Sequence, residues 1–157
     1  MDALTDIAIT RQSPEDPALD LLFQRHVAAM HADTPPESIH MLPRADLAAP
    51  GICFYVLRVG GQPAAMGAIK RHAAGEGEIK SMHVLSEWRG HGLSRRLLAH
   101  LMDEARAAGM TRLSLETGIQ PTFIAARALY ADMGFATCGP FADYGEDPNS
   151  VFMTRSL

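Results

Sequence analysis

Stretches in which apolar and polar residues alternate at period two succeed stretches with helical periodicity, and their order predicts the architecture. Ile7 and Ile9 alternate with polar neighbours and predict a first strand over residues 4–10. Ser13-Pro14-Glu15 reads as a helix start, with Leu19, Leu22, Phe23, His26, Val27 and Met30 on the inward face. Asp33-Thr34-Pro35-Pro36 breaks that helix, and residues 37–50 lack periodicity and read as a loop over a pocket, with a short helical turn. Residues 52–59 and 63–70 form a predicted hairpin about Gly60-Gly61, and a second glycine-bearing turn at 72–77 leads into a strand over 78–85. Leu93, Leu97, Leu98, Leu101, Met102 and Ala105 recur at helical spacing, and Gly109 stands at the C-terminal cap. A strand over 111–116, a helix over 121–133 with Phe123, Ala126, Leu129 and Tyr130 inward, and two last strands at 135–138 and 150–154 complete the chain. The order β, α, βββ, α, β, α, β, β predicts an α/β (α+β) fold on a mostly antiparallel sheet, expected to form one domain over residues 1–157.

The junction between the 78–85 strand and the following helix carries the chemistry. It reads Ser86-Glu87-Trp88, then Arg89-Gly90-His91-Gly92-Leu93-Ser94, then Arg95-Arg96. A glycine-bearing turn at a helix start lets backbone N–H groups converge on an anion at the positive end of the helix, so the turn reads as a phosphate cradle. The alternative is an ordinary strand–helix turn with solvated arginines.

Bulk properties narrow the partners. With 157 residues, 47% hydrophobic, the chain has enough apolar material for a core without metals or disulfides. A formal net charge of −4 gives no overall basic field for nucleic acid, although Arg89, Arg95 and Arg96 make a local positive patch. Cys53 and Cys138 fit neither a metal spacing nor a disulfide framework, and His26, His31 and His40 have no ligand register, so no metal site is expected. No signal peptide or membrane-spanning run is read, and a cytoplasmic protein acting without nucleic acid or membrane is the expectation.

Arg89-Gly90-His91-Gly92-Leu93-Ser94 resembles the R/Q-x-x-G-x-G/A motif of the GCN5-related N-acetyltransferases (GNAT). The preceding strand from Glu78, and Ala128-Leu129-Tyr130 followed by Gly134-Phe135, stand in the family's order. Leu115-Glu116-Thr117-Gly118, the run from Pro140 to Met153, and Pro35-Pro36-Glu37-Ser38-Ile39-His40 are similar to small bacterial YsnE-type acetyltransferases. The resemblance implies a GNAT fold, a mixed, mostly antiparallel sheet of six to seven strands flanked by helices. It also implies acetyl-CoA as co-substrate and an acetyl transfer to an amine. Ser94 replaces the usual third Gly or Ala, and Phe123 stands where many relatives carry an asparagine.

What the resemblance implies can be laid on single residues. Arg89, Gly90, His91, Gly92, Leu93, Ser94 and Arg95 would hold the CoA pyrophosphate. The backbone of Met82, His83 and Val84 would run beside the pantetheine arm and polarise the thioester, with Phe123 nearby. Glu78 is the preferred general base, expected on one face with Lys80 and Met82 by alternation. Glu116, at the end of the neighbouring strand, is the rival. Tyr130 is the preferred acid for the departing thiolate. Ser38, His40 and Tyr144 are candidate substrate contacts, and Arg44 is read as a pocket wall or an exposed loop arginine. The acceptor is expected to be a small, amino-acid-like amine attacking directly in a ternary complex. Protein N-termini or lysines, a non-catalytic acyl-CoA sensor and, more distantly, a dinucleotide-binding protein are the alternatives. By analogy with the family, the C-terminal strand is read as an exposed edge for a homodimer.

Overall fold

The computed structural model describes residues 6–157. The sheet has seven strands: β1 (Ile7–Arg11), β2 (Ile52–Val59), β3 (Gln62–Arg71), β4 (Glu76–Val84), β5 (Arg112–Gly118), β6 (Ala136–Cys138) and β7 (Ser150–Ser156). Three helices, α1 (Asp20–Asp33), α2 (Leu93–Ala107) and α3 (Ile124–Asp132), flank it. Strand order is β1-β2-β3-β4-β5-β7-β6, antiparallel throughout except for the β4–β5 pair. The predicted α/β sheet is therefore present, and residues 4 and 5 of the predicted first strand lie outside the described residues.

Alternation along the central strands divides the core between the two faces. Tyr55, Leu57, Ile69, Ile79, Leu113 and Leu115 meet Leu97, Leu98 and Leu101 of α2 and Tyr130 of α3. Phe54, Val56, Met66 and Ala68 meet Leu19, Leu22 and Phe23 on the α1 side, with Leu47 from a 3-10 turn at Arg44–Ala48. Burying such aliphatic side chains removes apolar surface from water, the main source of stability here.

Three expectations are corrected. The first helix does not begin at Ser13-Pro14-Glu15. Asp16 caps a 3-10 turn at Pro17–Leu19, accepting from the N–H of Ala18 at 2.9 Å, and α1 follows it. Within α1, Val27 is exposed, because the helix rotates its buried stripe onto Leu22, Phe23 and His26. The C-terminal strand is not the edge of the sheet: β7 lies between β5 and β6, paired with β5 along its length and with β6 over Phe152–Thr154.

The strict alternation expected of Glu78, Lys80 and Met82 also fails, with a consequence for the site. Lys80 pairs with Ala68 and His83 with Met66, so Ser81 and Met82 together oppose Gly67. This is a β-bulge, with Ser81 at φ +57°. The extra residue carries Met82 to the α2 face, where its sulfur would lie 2.6 Å from any Cβ at position 67. A side chain at 67 would press on Met82, Leu101 and Leu97 at that face.

Candidate functional site

Strands β4 and β5 pair only at Glu76–Arg112, Gly77–Leu113 and Glu78–Ser114. Beyond Glu78 they separate, because the bulge bends β4 while β5 stays zipped to β7 over its whole length. The β5-facing backbone of β4 from Lys80 to Val84 is left without a strand partner, and a cleft of about 120 Å³ opens at the separation. One wall carries Met82, Leu115, Phe123, Ala126 and Tyr130; the other carries His26 and Met30 of α1, Thr34 just past its end, Ser38, His40 and Met41 of the loop, and Lys80, Ser81 and Glu116.

The unpaired edge of β4 leads toward the turn before α2. Gly90 (φ +83°) and Gly92 (φ +76°) are both left-handed, and no heavy atom lies within 4 Å of a Cβ built on either. Side chains there would adopt this backbone only under strain. The first helical bond runs from the N–H of Arg96 to the carbonyl of Gly92 at 3.1 Å. No side chain caps α2, and among the described residues the N–H groups from Gly90 to Arg95 find no acceptor. Leu93 is buried and anchors the turn to the core, while the Nε of Arg89 donates to the carbonyl of Val84 at 3.2 Å and fixes the end of β4. Arg95 forms an exposed ion pair with Asp132 of α3, and exposed His91 meets Trp88 edge-on. A row of unsatisfied N–H groups at a helix start, open on its outer side, suits a phosphate-bearing group.

On the α1 side, side chains build the wall. Glu78 is 2% exposed and does not line the cleft. Its Oε1 lies 2.7 Å from His72 Nε2, and its Oε2 accepts the Tyr144 hydroxyl at 2.5 Å. Lys80, 9% exposed, lies 3.3 Å from the same carboxylate and donates to the Tyr144 hydroxyl at 2.8 Å and the His40 carbonyl at 2.9 Å. Desolvation and the Glu78 hydrogen bond push the Tyr144 phenol far up. Asp147 gathers the loops: it accepts from Ser38 at 3.0 Å and from the N–H of Asn149 at 2.9 Å, and meets His40 Nε2 at 3.2 Å. Those contacts, with the Asn149 amide as their largest part, hold its carboxyl below the ordinary value.

Glu116 and Tyr130 lie on opposite sides of the gap. Leu113 and Leu115 point into the α2–α3 core, so Glu116 points the other way and accepts the Ser150 hydroxyl at 2.8 Å. Burial raises the Glu116 carboxyl above its ordinary value, outweighing that hydrogen bond. Tyr130 comes from the α3 side, its phenol pushed up to about 12 by burial and then by the Glu116 charge.

The model of the acetyltransferase (GNAT) family matches residues 18–135, most of the sheet and all three helices. The chain belongs to the GNAT acetyltransferase family. The uncharacterised N-acetyltransferase YsnE of Bacillus subtilis is 46% identical over 136 residues, 87% of this chain and 90% of its own. The IAA acetyltransferase of Azospirillum brasilense is 42% identical over 159 residues, covering 98% of this chain and all of that protein. A Klebsiella pneumoniae structure assigned to the acyl-CoA N-acyltransferases superposes with a TM-score of 0.80 at 32% identity, over 96% of this chain and 97% of that one. Acetyltransferases of the GNAT family take their acetyl group from acetyl-CoA, and this enzyme is accordingly an acyltransferase.

The predicted residues of this GNAT enzyme fall into distinct groups. Met82, Phe123, Tyr130, Glu116, Ser38 and His40 line the cleft. Val84 ends the unpaired strand edge, and the ring of Phe123 lies over Gly118. The His83 ring is turned to the α1 side, 5.3 Å from His26. Glu78 and Tyr144 are not on the wall; they sit together beneath it, holding Lys80. Arg44 does not line the cleft and is only partly exposed: it donates to the carbonyls of Pro14 (2.7 Å) and Asp16 (2.8 Å) and to Asp20 (2.7 Å), and stacks over Phe23. It is a clamp on the α1 entry.

Sequence reasoning missed His26, Met30, Thr34, Met41, Lys80 and Ser81 as wall residues. His26 had a signal, a polar residue on an inward helical stripe. Ser81 had none, since its place on the wall depends on the bulge. Among the described residues, no group of three or more His, Cys, Asp or Glu comes together to hold a metal ion, and no helix is long and apolar enough to cross a membrane.

Proposed function

We propose that this enzyme transfers the acetyl group of acetyl-CoA to a primary amine of a small molecule, by direct attack in a ternary complex. The observation that carries the reading is the continuity of the unpaired β4 edge with the free N–H groups at the start of α2. A pyrophosphate on the N–H groups from Gly90 to Arg95 leaves the pantetheine arm to extend along Lys80–Val84 as an added strand. The residues present fit that group, because Gly90 and Gly92 keep the turn clear of side chains. Acetyl-CoA supplies the activated thioester; the chain holds it, polarises it and moves protons.

The bulge at Ser81 and Met82 breaks the regular ladder, so backbone N–H groups at this point are available to the thioester carbonyl, the chemistry of an oxyanion hole. Glu116 is the general base in this reading. It lines the cleft, and its raised carboxyl is a better proton acceptor than an ordinary carboxylate. Glu78 becomes a buried anion that fixes Lys80, with both oxygens already engaged. Tyr130, across the gap, stays protonated at neutral pH and serves as the acid toward the leaving thiolate. Neither Cys53 nor Cys138 lines the cleft to act as an acyl carrier, which supports direct attack.

Two measurements test the reading. Calorimetry with CoA is expected to register binding, and an amine panel assayed by thiol release from acetyl-CoA is expected to yield turnover. Mass spectrometry after incubation with acetyl-CoA alone is expected to find an unmodified protein. A stably acetylated chain would replace direct attack with a ping-pong route, and absence of CoA binding would end the assignment.

A further inference from the structure

The wall on the α1 side contains polar atoms that the fold leaves unused. His26 Nε2, Thr34 Oγ1 and Ser81 Oγ are buried without a hydrogen-bond partner, and all three residues line the cleft. His26 and Thr34 are only 8% and 7% exposed. Buried polar groups are ordinarily paired, so three unpaired ones on one cleft wall point to a ligand that pairs them. Burial also keeps the His26 imidazole neutral at pH 7, lowering its pKa to about 4.

The cations of the same wall are already committed. Lys80 donates to the His40 carbonyl and the Tyr144 hydroxyl and is ion-paired with Glu78 at 3.3 Å. His40 Nε2 is held by Asp147, and Glu116 adds negative charge beside the opening. A carboxylate entering here meets neutral donors but no unpaired side-chain cation, so its charge would be desolvated without a countercharge. An uncharged hydroxyl or amide meets a hydroxyl pair and a neutral imidazole that can donate or accept. The volume, about 120 Å³, is of the order of a cavity that holds a benzene ring.

Resting on the acetyl-transfer reading above, we propose that the acceptor is a small primary amine with an uncharged body, whose hydrogen-bonding group seats against His26, Thr34 and Ser81, and that amines bearing a carboxylate are poor acceptors. This replaces the amino-acid-like acceptor expected from sequence with an amino-alcohol-like or amino-amide-like one.

The test uses pairs matched in length and amine basicity: 3-amino-1-propanol against β-alanine, 4-amino-1-butanol against 4-aminobutyrate, and 4-(aminomethyl)benzyl alcohol against 4-(aminomethyl)benzoate. Thiol release from acetyl-CoA is expected to give at least a tenfold higher kcat/KM for the best alcohol than for its acid. Thr34→Val and Ser81→Ala, tested separately so that one misfolded variant does not decide the matter, should each raise the KM for that alcohol at least threefold, and Thr34→Val should do so with the KM for acetyl-CoA unchanged. Acids used as well as the alcohols, or no turnover of either series by a protein that binds CoA, overturns the proposal. Absence of CoA binding is a separate readout that overturns the acetyl-transfer reading itself.

Discussion

The two walls of the cleft are made of different material. Toward α2 and α3 the polar surface is backbone: the unpaired edge of β4 and the uncapped N–H groups from Gly90 to Arg95. Toward α1 it is side chains, tied together by Asp147, Lys80, Glu78 and Tyr144 across the loops at 36–41 and 139–149. Backbone recognition depends on local geometry and tolerates change in most side chains. A side-chain network depends on each member, since removing one leaves another buried and unpaired. The first material suits a co-substrate shared by a whole family, and the second suits an acceptor that differs between its members.

The strongest way to break this division is at Glu116, where the side-chain wall is proposed to do chemistry. Glu116→Gln is expected to lower kcat by about 10³-fold, within the range for loss of a general base, with acetyl-CoA affinity unchanged. Because burial raises this carboxyl, it must lose its proton above the ordinary carboxylate range before it can act. The wild-type rate should therefore fall as pH drops through that raised value, and the variant should lose this limb of the profile. An unaltered rate in Glu116→Gln, with a well-folded Glu78→Gln inactive, would return the base to Glu78.

Lys80→Met tests whether the network is structural. It leaves the Glu78 carboxylate only His72 and the Tyr144 hydroxyl, and breaking a buried pair from one side typically costs about 3–5 kcal/mol. Urea unfolding should record a loss of that size, and adding Glu78→Gln to the same variant should recover part of it. A loss confined to activity would show that Lys80 works on substrate instead.

A smaller effect comes from His26. Its pKa is lowered by burial from 6.5 to about 4, so the folded protein binds fewer protons than the unfolded chain between those values. The contribution is complete above pH 6.5 and declines as pH falls toward 4, by at most about 3 kcal/mol. His83, lowered to about 4 by burial and by the neighbouring His26, acts in the same direction but is less buried. His26→Gln should flatten the fall in thermal midpoint between pH 6.5 and 4, and an unchanged slope would locate acid sensitivity elsewhere.

Tyr130→Phe asks whether the gap separates acid from base. Without the phenol, kcat is expected to drop about 10²-fold while the Kd for CoA holds. An unchanged kcat would remove Tyr130 from the reaction.

Legibility in the sequence followed the same division. Apart from the start of α1, which was read too early, period-two and helical patterns were enough to recover the strands and helices to within a few residues, and Gly90-His91-Gly92 disclosed the turn, because positive φ is written locally as glycine. The α1-side wall was not legible in that way. Ser38 and Asp147 meet across 109 residues, and nothing in either stretch alone announces the other. The face of Met82 was misread because Ser81 adopts positive φ without being glycine, so the bulge that opens the cleft left no compositional mark. Glu78 drew attention as a carboxylate on the right strand, but its neighbours Tyr144 and His72, which close it off, come from loops with no periodic signal.

The mildest and most selective test is Gly92→Ala. At φ +76° an alanine is strained by roughly 1–2 kcal/mol, yet its Cβ meets no heavy atom of the protein within 4 Å. Any added loss of CoA affinity therefore comes from the turn relaxing away from its present shape or from the methyl group standing where the anion is expected. Gly109→Ala supplies the control, since Gly109 has φ +85°, equally open surroundings and a place at the far end of α2. Both variants should lose comparable stability, but only Gly92→Ala should weaken CoA binding, by about tenfold, equivalent to about 1.4 kcal/mol. Equal CoA affinities in the two would mean that the N–H groups before α2 do not hold the pyrophosphate, and that the backbone-built wall is a feature of folding rather than of binding.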